Sequence, residues 1–284
     1  MKFGDETVQI DPEQFSEFVV KGERLRIAYA RRAGTGRALL FIHGMGSSRL
    51  AFLPQLHALH LANPLYAMDL PGFGASTLPR VRQQLPDFVL AVMGFVESLR
   101  LDRPILVGHS FGGLVAAESA ISAPDRIAGT VLAASAGWCA PEGAFEPTRW
   151  VWLNRLGIWI TSSNRVGDRI LAGLGVDPKC LTAEDRQRLR YGWRRAREMA
   201  RMGRFYRTER MAERLQAAGV PTVVIAGRRD TLFPLSKVIE AVGGRFPLWT
   251  MEQGGHLVLD QDRAVFLALL EQAVTELQGG GARQ

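Results

Sequence analysis

Ser110 stands between Gly108 and Gly112 in PILVGHSFGGLVAAESA, Pro104–Ala120, where an apolar run gives way to a run of small residues. Glycines two before and two after a serine let a strand and a helix meet at a sharp corner, with the hydroxyl projecting from it. A serine so displayed is either turn chemistry or a nucleophile. The N–H groups that open the following helix point at the same place, where they stabilise developing negative charge. A G-x-S-x-G match says little alone; the apolar strand before it and the helix after it supply its context.

A serine hydroxyl is too weak an acid to attack a carbonyl unaided, so it needs a base and a third group that orients the base. Five histidines are available. His43, in FIHGMG at the end of a predicted strand, reads as structural. His57 and His60 fall on a predicted, partly exposed helix. His109 adjoins the serine, but at a sharp corner a neighbouring side chain points elsewhere. His256, in MEQGGHLVLD, follows the last predicted strand, and Gly254-Gly255 before it suit a tightly turned loop that can carry an imidazole over the sheet. With Ser110 present, His256 is the expected base.

The expected acid is Asp230, in VVIAGRRDTLFP, after the penultimate strand. A carboxylate there accepts the second imidazole N–H, fixes the tautomer and stabilises the imidazolium. Asp230 has a competing role as a cap for the helix that begins near Pro234. Asp260 and Asp262 are alternatives, but both lie beyond the histidine and suit the start of the last helix.

These residues need a scaffold that brings strand ends together. FSEFVV and RLRIAYA read as a hairpin through Lys21-Gly22-Glu23. Six more apolar runs follow: ALLFIHG, PLYAMDL, PILVG, GTVLAASA, PTVVIAG and FPLWTM. Helical stretches are expected at about 52–61, 81–99, after Ser110, 234–242 and 263–277. Continuous apolar strands alternating with helices predict an α/β fold, a parallel sheet covered on both faces. From about Cys139 to Leu215 the pattern changes to helical periodicity without a convincing strand. The domain reading is therefore a core of residues 1–138 and 216–284, interrupted by a helical insertion at 139–215, with a frayed tail, QGGGARQ.

Composition excludes several classes. The chain of 284 residues is 47% apolar and 22% charged, a soluble globular balance. Its net charge of +7 is carried by residues 141–214, where cations are spread as RQRLR, WRRAR and RMGRFYR among apolar residues. That is the pattern of solvated helical faces, and no nucleic-acid motif accompanies it. The opening MKFGDETVQIDPEQF lacks a signal-peptide core, and no window reads as a membrane span, so a cytoplasmic protein is expected. Cys139 and Cys180 make neither a disulfide framework nor a zinc site and are expected as reduced thiols. No His/Asp/Glu cluster has metal-ligand spacing, and no cofactor is expected.

The chain order Ser110, Asp230, His256 is that of the α/β-hydrolase triad. FIHGMGSS, DLPGFGAS, VGHSFGG, AGRRDTLFP and GGHLVLD fall in that superfamily's sequence, and the resemblance covers almost the whole chain. It implies a mostly parallel eight-stranded sheet flanked by helices, and makes the insertion a cap of the kind found in epoxide-hydrolase-like and carbon–carbon-hydrolase-like branches. It places the oxyanion hole at the backbone N–H groups of Met45 and Phe111. In DLPGFGAS, the glycines serve a turn and Asp69 holds loops by hydrogen bonds.

Within such a family a serine at the corner suits acyl chemistry, where an aspartate would attack an sp³ carbon. The expected activity is therefore a carboxylesterase-like serine hydrolase acting on a small hydrophobic substrate. Carbon–carbon hydrolysis or acyl transfer on the same residues are alternatives, and a receptor that retains the fold is a third. Trp150, Trp152, Trp159, Trp193, Phe205 and Tyr206 are candidate pocket residues of the cap. A monomer or homodimer is expected.

Overall fold

Strand-length apolar runs buried on both faces build the centre of the molecule. A computed structural model describes residues 9–80, 83–139 and 210–279, together with Ala172 and Lys179. Among the described residues eight strands form a sheet: β1 (Ile10–Val20), β2 (Glu23–Arg32), β3 (Leu39–Ile42), β4 (Leu65–Met68), β5 (Ile105–His109), β6 (Gly129–Ala133), β7 (Thr222–Gly227) and β8 (Leu248–Met251). The order across the sheet is β1-β2-β4-β3-β5-β6-β7-β8. The first two strands form an antiparallel hairpin, β2 runs antiparallel to β4, and every later pairing is parallel.

Alternation along each strand divides the core in two. Leu40, Ile42, Leu106, Leu132 and Val224 face one side, under Phe88, Val92 and Phe95 of helix α2 (Leu85–Ser98) and Leu114 and Val115 of helix α3 (Phe111–Ser122). Leu39, Phe41, Ile105, Val107, Val131 and Ile225 face the other, against Phe52, Leu56, Phe266 and Leu270. Truncating one such leucine to alanine removes about 2–5 kcal/mol. The covering helices show why they form. In α2, Phe88, Ala91, Val92, Phe95 and Val96 are buried at i, i+3, i+4, i+7 and i+8, a single apolar stripe.

Helix boundaries differ from expectation where local chemistry intervenes. Helix α2 starts at Leu85, four residues late, because Gln84 and Asp87 form a reciprocal capping box ahead of Pro86. The stretch at 52–61 divides into a 3₁₀ turn, Arg49–Phe52, and a short helix α1, Leu53–Ala58, which stops as Leu59 turns extended. Strand β1 reaches back to Ile10 across an irregularity between Asp11 and Gln14; Pro12 is tolerated because the strand lies at the edge. Strand β6 ends at Ala133, three residues early, since Ala134 takes a φ of 42°.

After residue 209 the described chain resumes with helix α4 (Met211–Ala217), whose Met211, Ala212 and Leu215 enter the core beside α3. Helices α5 (Leu235–Val242), α6 (Val258–Gln261) and α7 (Arg263–Gly279) complete it, α7 taking in Gln278 and Gly279 of the tail. Most of the expected insertion lies outside the described residues, as do Trp150, Trp152, Trp159, Trp193, Phe205, Tyr206 and Cys180. Among the described residues no helix is long and apolar enough to cross a membrane.

The strand order reverses at β3, which has β4 on one side and β5 on the other. In an open parallel sheet, ligands bind outside the carboxyl ends of strands at such a switch point. The loop of Gly44 and Met45 leaves β3 there, and Ser110 leaves β5 beside it. Asp230 and His256 follow β7 and β8 at the same edge.

Candidate active site

The corner at Ser110 is as tight as its glycines suggest. Ser110 joins β5 to α3 with φ 53° and ψ −120°, a backbone state that costs a non-glycine residue about 1–3 kcal/mol. Hydrogen bonds hold it: its N–H donates to Ala133 O at 3.0 Å, and its carbonyl accepts from Gly113 N at 2.9 Å and Ala136 N at 3.0 Å. A side chain at Gly112 would collide with the carbonyl oxygens of Ile42 and His43. At Gly108, an added Cβ would come within 2.5 Å of Gly113 Cα. Glycine is what lets the helix cross the strand ends at this distance.

Ser110, His256 and Asp230 are brought together from three loops. Ser110 Oγ lies 2.9 Å from His256 Nε2, and His256 Nδ1 lies 3.0 Å from Asp230 Oδ2. An ionised carboxylate can only accept, so Nδ1 carries the proton and Nε2 is free to accept from the serine hydroxyl. All three residues are buried. The competing capping role is not taken: the helix after Pro234 has no side-chain cap bond, and Asp230 Oδ1 instead accepts the N–H groups of Leu232 at 2.8 Å and Phe233 at 3.0 Å in the turn before it. One oxygen fixes the carboxylate to its own turn, leaving the other for the imidazole. Asp262 instead accepts from Val265 N at 3.3 Å just ahead of the last helix, and Asp260, in the short helix before it, lies 3.7 Å from Arg263.

The loop bearing His256 is tied down at each residue. Gly254 O accepts from Arg229 N at 2.8 Å, and Gly255 N donates to Gln261 Oε1 at 2.6 Å. The His256 carbonyl accepts from His109 Nε2 at 2.9 Å. The ring of His256 lies between those of Phe233 and His109, with centroids 5.5 and 5.3 Å away. His109 does point away from the serine, as expected, but its target is the residue that holds the serine. Sequence alone carried no signal for that contact, which spans 147 positions. Phe233 and Gln261 were equally invisible.

Phe111 directly follows Ser110, and Gly44, the residue before Met45, lies close to it. Phe111 N belongs to the first residue of α3, and the Phe111 ring turns into the core, edge-on to Phe88 at 5.2 Å. Met45 follows Gly44, where an added Cβ would lie 3.1 Å from Ser110 Cβ. His43 shapes this loop. Its Nδ1–H donates to Gly44 O at 2.8 Å, and its Nε2 accepts from Leu70 N at 3.0 Å. Complete burial pushes its pKa below the usual imidazole value, so the ring is neutral, as that pairing requires. Asp69, in the loop with Leu70, accepts from Arg49 N, Arg49 NH1 and Ala75 N, which ties the two loops together as expected of it.

The remaining residues lie elsewhere. His57 is exposed on α1, and His60, just beyond that helix, is exposed beside Glu271. Cys139 is partly buried.

Known proteins share this architecture. A 114-residue stretch is 35% identical to the dihydrolipoyllysine-residue acetyltransferase component of the acetoin cleaving system of Cupriavidus necator, covering 40% of this chain and 30% of that one. The uncharacterised hydrolase YugF of Bacillus subtilis is 26% identical over 86% of this chain and 92% of its own. The chain spans less than half the length of the first curated relatives it matches, 30% and 46%. In three dimensions it is similar to the carboxylesterase CesB of Bacillus subtilis, with a TM-score of 0.73 and 16% identity over 94% of this chain and 92% of that one. The profile of the alpha/beta hydrolase family matches residues 39–269. With the eight-stranded sheet and its switch point, that match settles the family: the chain belongs to the alpha/beta hydrolases.

Proposed function

We propose that this protein is a serine hydrolase that cleaves carboxylic ester, or related acyl, bonds of small hydrophobic substrates through an acyl-enzyme. The observation that carries the reading is the hydrogen-bonded series Ser110 Oγ–His256 Nε2 at 2.9 Å and His256 Nδ1–Asp230 Oδ2 at 3.0 Å.

Ser110 Oγ attacks the substrate carbonyl while His256 Nε2 takes its proton. The carbonyl oxygen becomes an oxyanion that the Met45 and Phe111 N–H groups stabilise, each donor contributing on the order of 3 kcal/mol. Asp230 stabilises the imidazolium without taking its proton. His256 then gives the proton to the leaving alcohol as the tetrahedral intermediate collapses. Water repeats the sequence on the acyl-enzyme: His256 accepts its proton, the hydroxide oxygen bonds the acyl carbon, and Ser110 leaves reprotonated. Aromatic residues of the 139–215 segment supply the apolar part of the pocket in this reading.

Turnover of short and medium aryl esters, lost in Ser110→Ala, tests the reading. Transfer of the acyl group to an acceptor other than water is a second reading, favoured by the identity to the acetyltransferase component. Added alcohol or thiol acceptors decide between them: a transferase makes the new ester or thioester faster than free acid.

A further inference from the structure

The His109 ring fills the space between two loops that the proposed reaction needs in register. On one side its Nε2 is 2.9 Å from the carbonyl oxygen of His256. A carbonyl only accepts, so Nε2 carries the proton and donates. On the other side lies Gly44, of the loop that presents the Met45 N–H: a Cβ there would come within 3.1 Å of His109 Nδ1. Its own backbone is the last residue of β5, directly before Ser110. One side chain thus bonds the base loop and lies close to the Met45 loop while its main chain carries the serine.

We propose that His109 is a positioning residue, a spacer that sets His256 over Ser110 by donating Nε2–H to the His256 carbonyl with its other edge close to Gly44. The inference rests on the serine-hydrolase reading for its kinetic consequence, though not for the contact itself.

The contact matters because of where it acts. Gly254 and Gly255 are held through Arg229 N and Gln261 Oε1, yet the main chain of His256 is held through His109. Without it, the imidazole is located by its side-chain bonds to Ser110 and Asp230, one of which breaks and re-forms in each half-reaction. The donor must also stay uncharged, since a second imidazolium 5.3 Å from His256 would oppose protonation of the base. Burial, followed by the neighbouring His256, pushes the His109 pKa down to about 3. The titratable groups that face it are His256, Asp230 and His43.

His109→Leu removes the donor at similar volume, and His109→Gln keeps an N–H that can reach the carbonyl. Turnover of p-nitrophenyl butyrate gives kcat and KM, and ¹⁵N-histidine NMR follows the His256 ring. In His109→Leu, kcat is expected to fall about 10- to 100-fold with KM changed by no more than about twofold. The His256 Nδ1–H resonance should shift or broaden. His109→Gln should recover most of the rate and the wild-type resonance. A leucine variant with wild-type kcat and ring resonances overturns the proposal, and so does a glutamine variant that loses as much as leucine.

If the leucine variant does not fold, the wild-type protein decides. The His109 ring should remain an uncharged Nε2–H tautomer from about pH 7.5 to about pH 5. Protonation of the His109 ring within that range would overturn the assignment. A wild-type protein with no ester turnover would defeat the hydrolase reading, while these ring resonances would still decide the contact.

Discussion

Arg49 and Asp69 form a buried ion pair at 2.5 Å beneath the loop that carries Met45, with side chains 5% and 0% exposed. Asp69 also accepts the backbone N–H groups of Arg49 and Ala75, and Arg49 reaches on to Pro12 O and Glu13. The pair therefore fastens the loop after β3 to the loop after β4 and to the edge strand. Its worth lies in what breaking it leaves behind, since an unpartnered buried charge is costly.

Asp69→Ala should lower unfolding free energy by about 3–5 kcal/mol, read as a shift of the urea midpoint at unchanged slope. A loss under about 1 kcal/mol would mean that Glu13 alone suffices as the partner of Arg49.

Asp230→Asn should leave the fold intact, because an amide oxygen can still accept from Leu232 and Phe233. It should cut kcat by about 10⁴, the effect of the equivalent change in serine proteases, by favouring the wrong imidazole tautomer. Steady-state kinetics beside a far-UV circular dichroism spectrum separates the two effects.

Gly112→Ala should destabilise the protein by more than the about 1–3 kcal/mol usual for overpacking. The added methyl meets the backbone carbonyls of Ile42 and His43, which cannot rotate away. A thermal midpoint within a degree or so of wild type would contradict so close a crossing.

Two buried neutral histidines make stability fall in acid. His109 has its pKa pushed from 6.5 to about 3, and His43 is lowered in the same sense, both by burial first. Below about pH 6.5 the unfolded chain binds protons at these positions that the native protein does not, so stability present above that pH is lost as pH falls. Each group contributes a slope of about 1.4 kcal/mol per pH unit while the difference lasts. Urea midpoints between about pH 7.5 and about 5 should show the decline, and His109→Gln should reduce its slope by one proton.

The sheet was legible in the sequence because runs such as Leu39–Ile42 and Ile105–His109 are too short and too apolar for anything but buried strands. Ser110, Asp230 and His256 could be picked out because each ends or follows such a strand. What was not legible depends on contacts across the fold. His109 gave no sign of its bond to His256, and Arg49 gave none of its pairing with Asp69, since neither partner lies nearby in sequence. Helix starts shifted for a local reason, the Gln84–Asp87 box, which apolar periodicity does not register.

Mass spectrometry of the intact protein after exposure to a fluorophosphonate probe tests the central claim most directly. Activation of Ser110 by His256 predicts a single adduct that maps to Ser110, absent in Ser110→Ala, whose aryl-ester turnover falls to background. A Ser110→Ala protein that still turns over the ester, or an adduct on another residue, would contradict it.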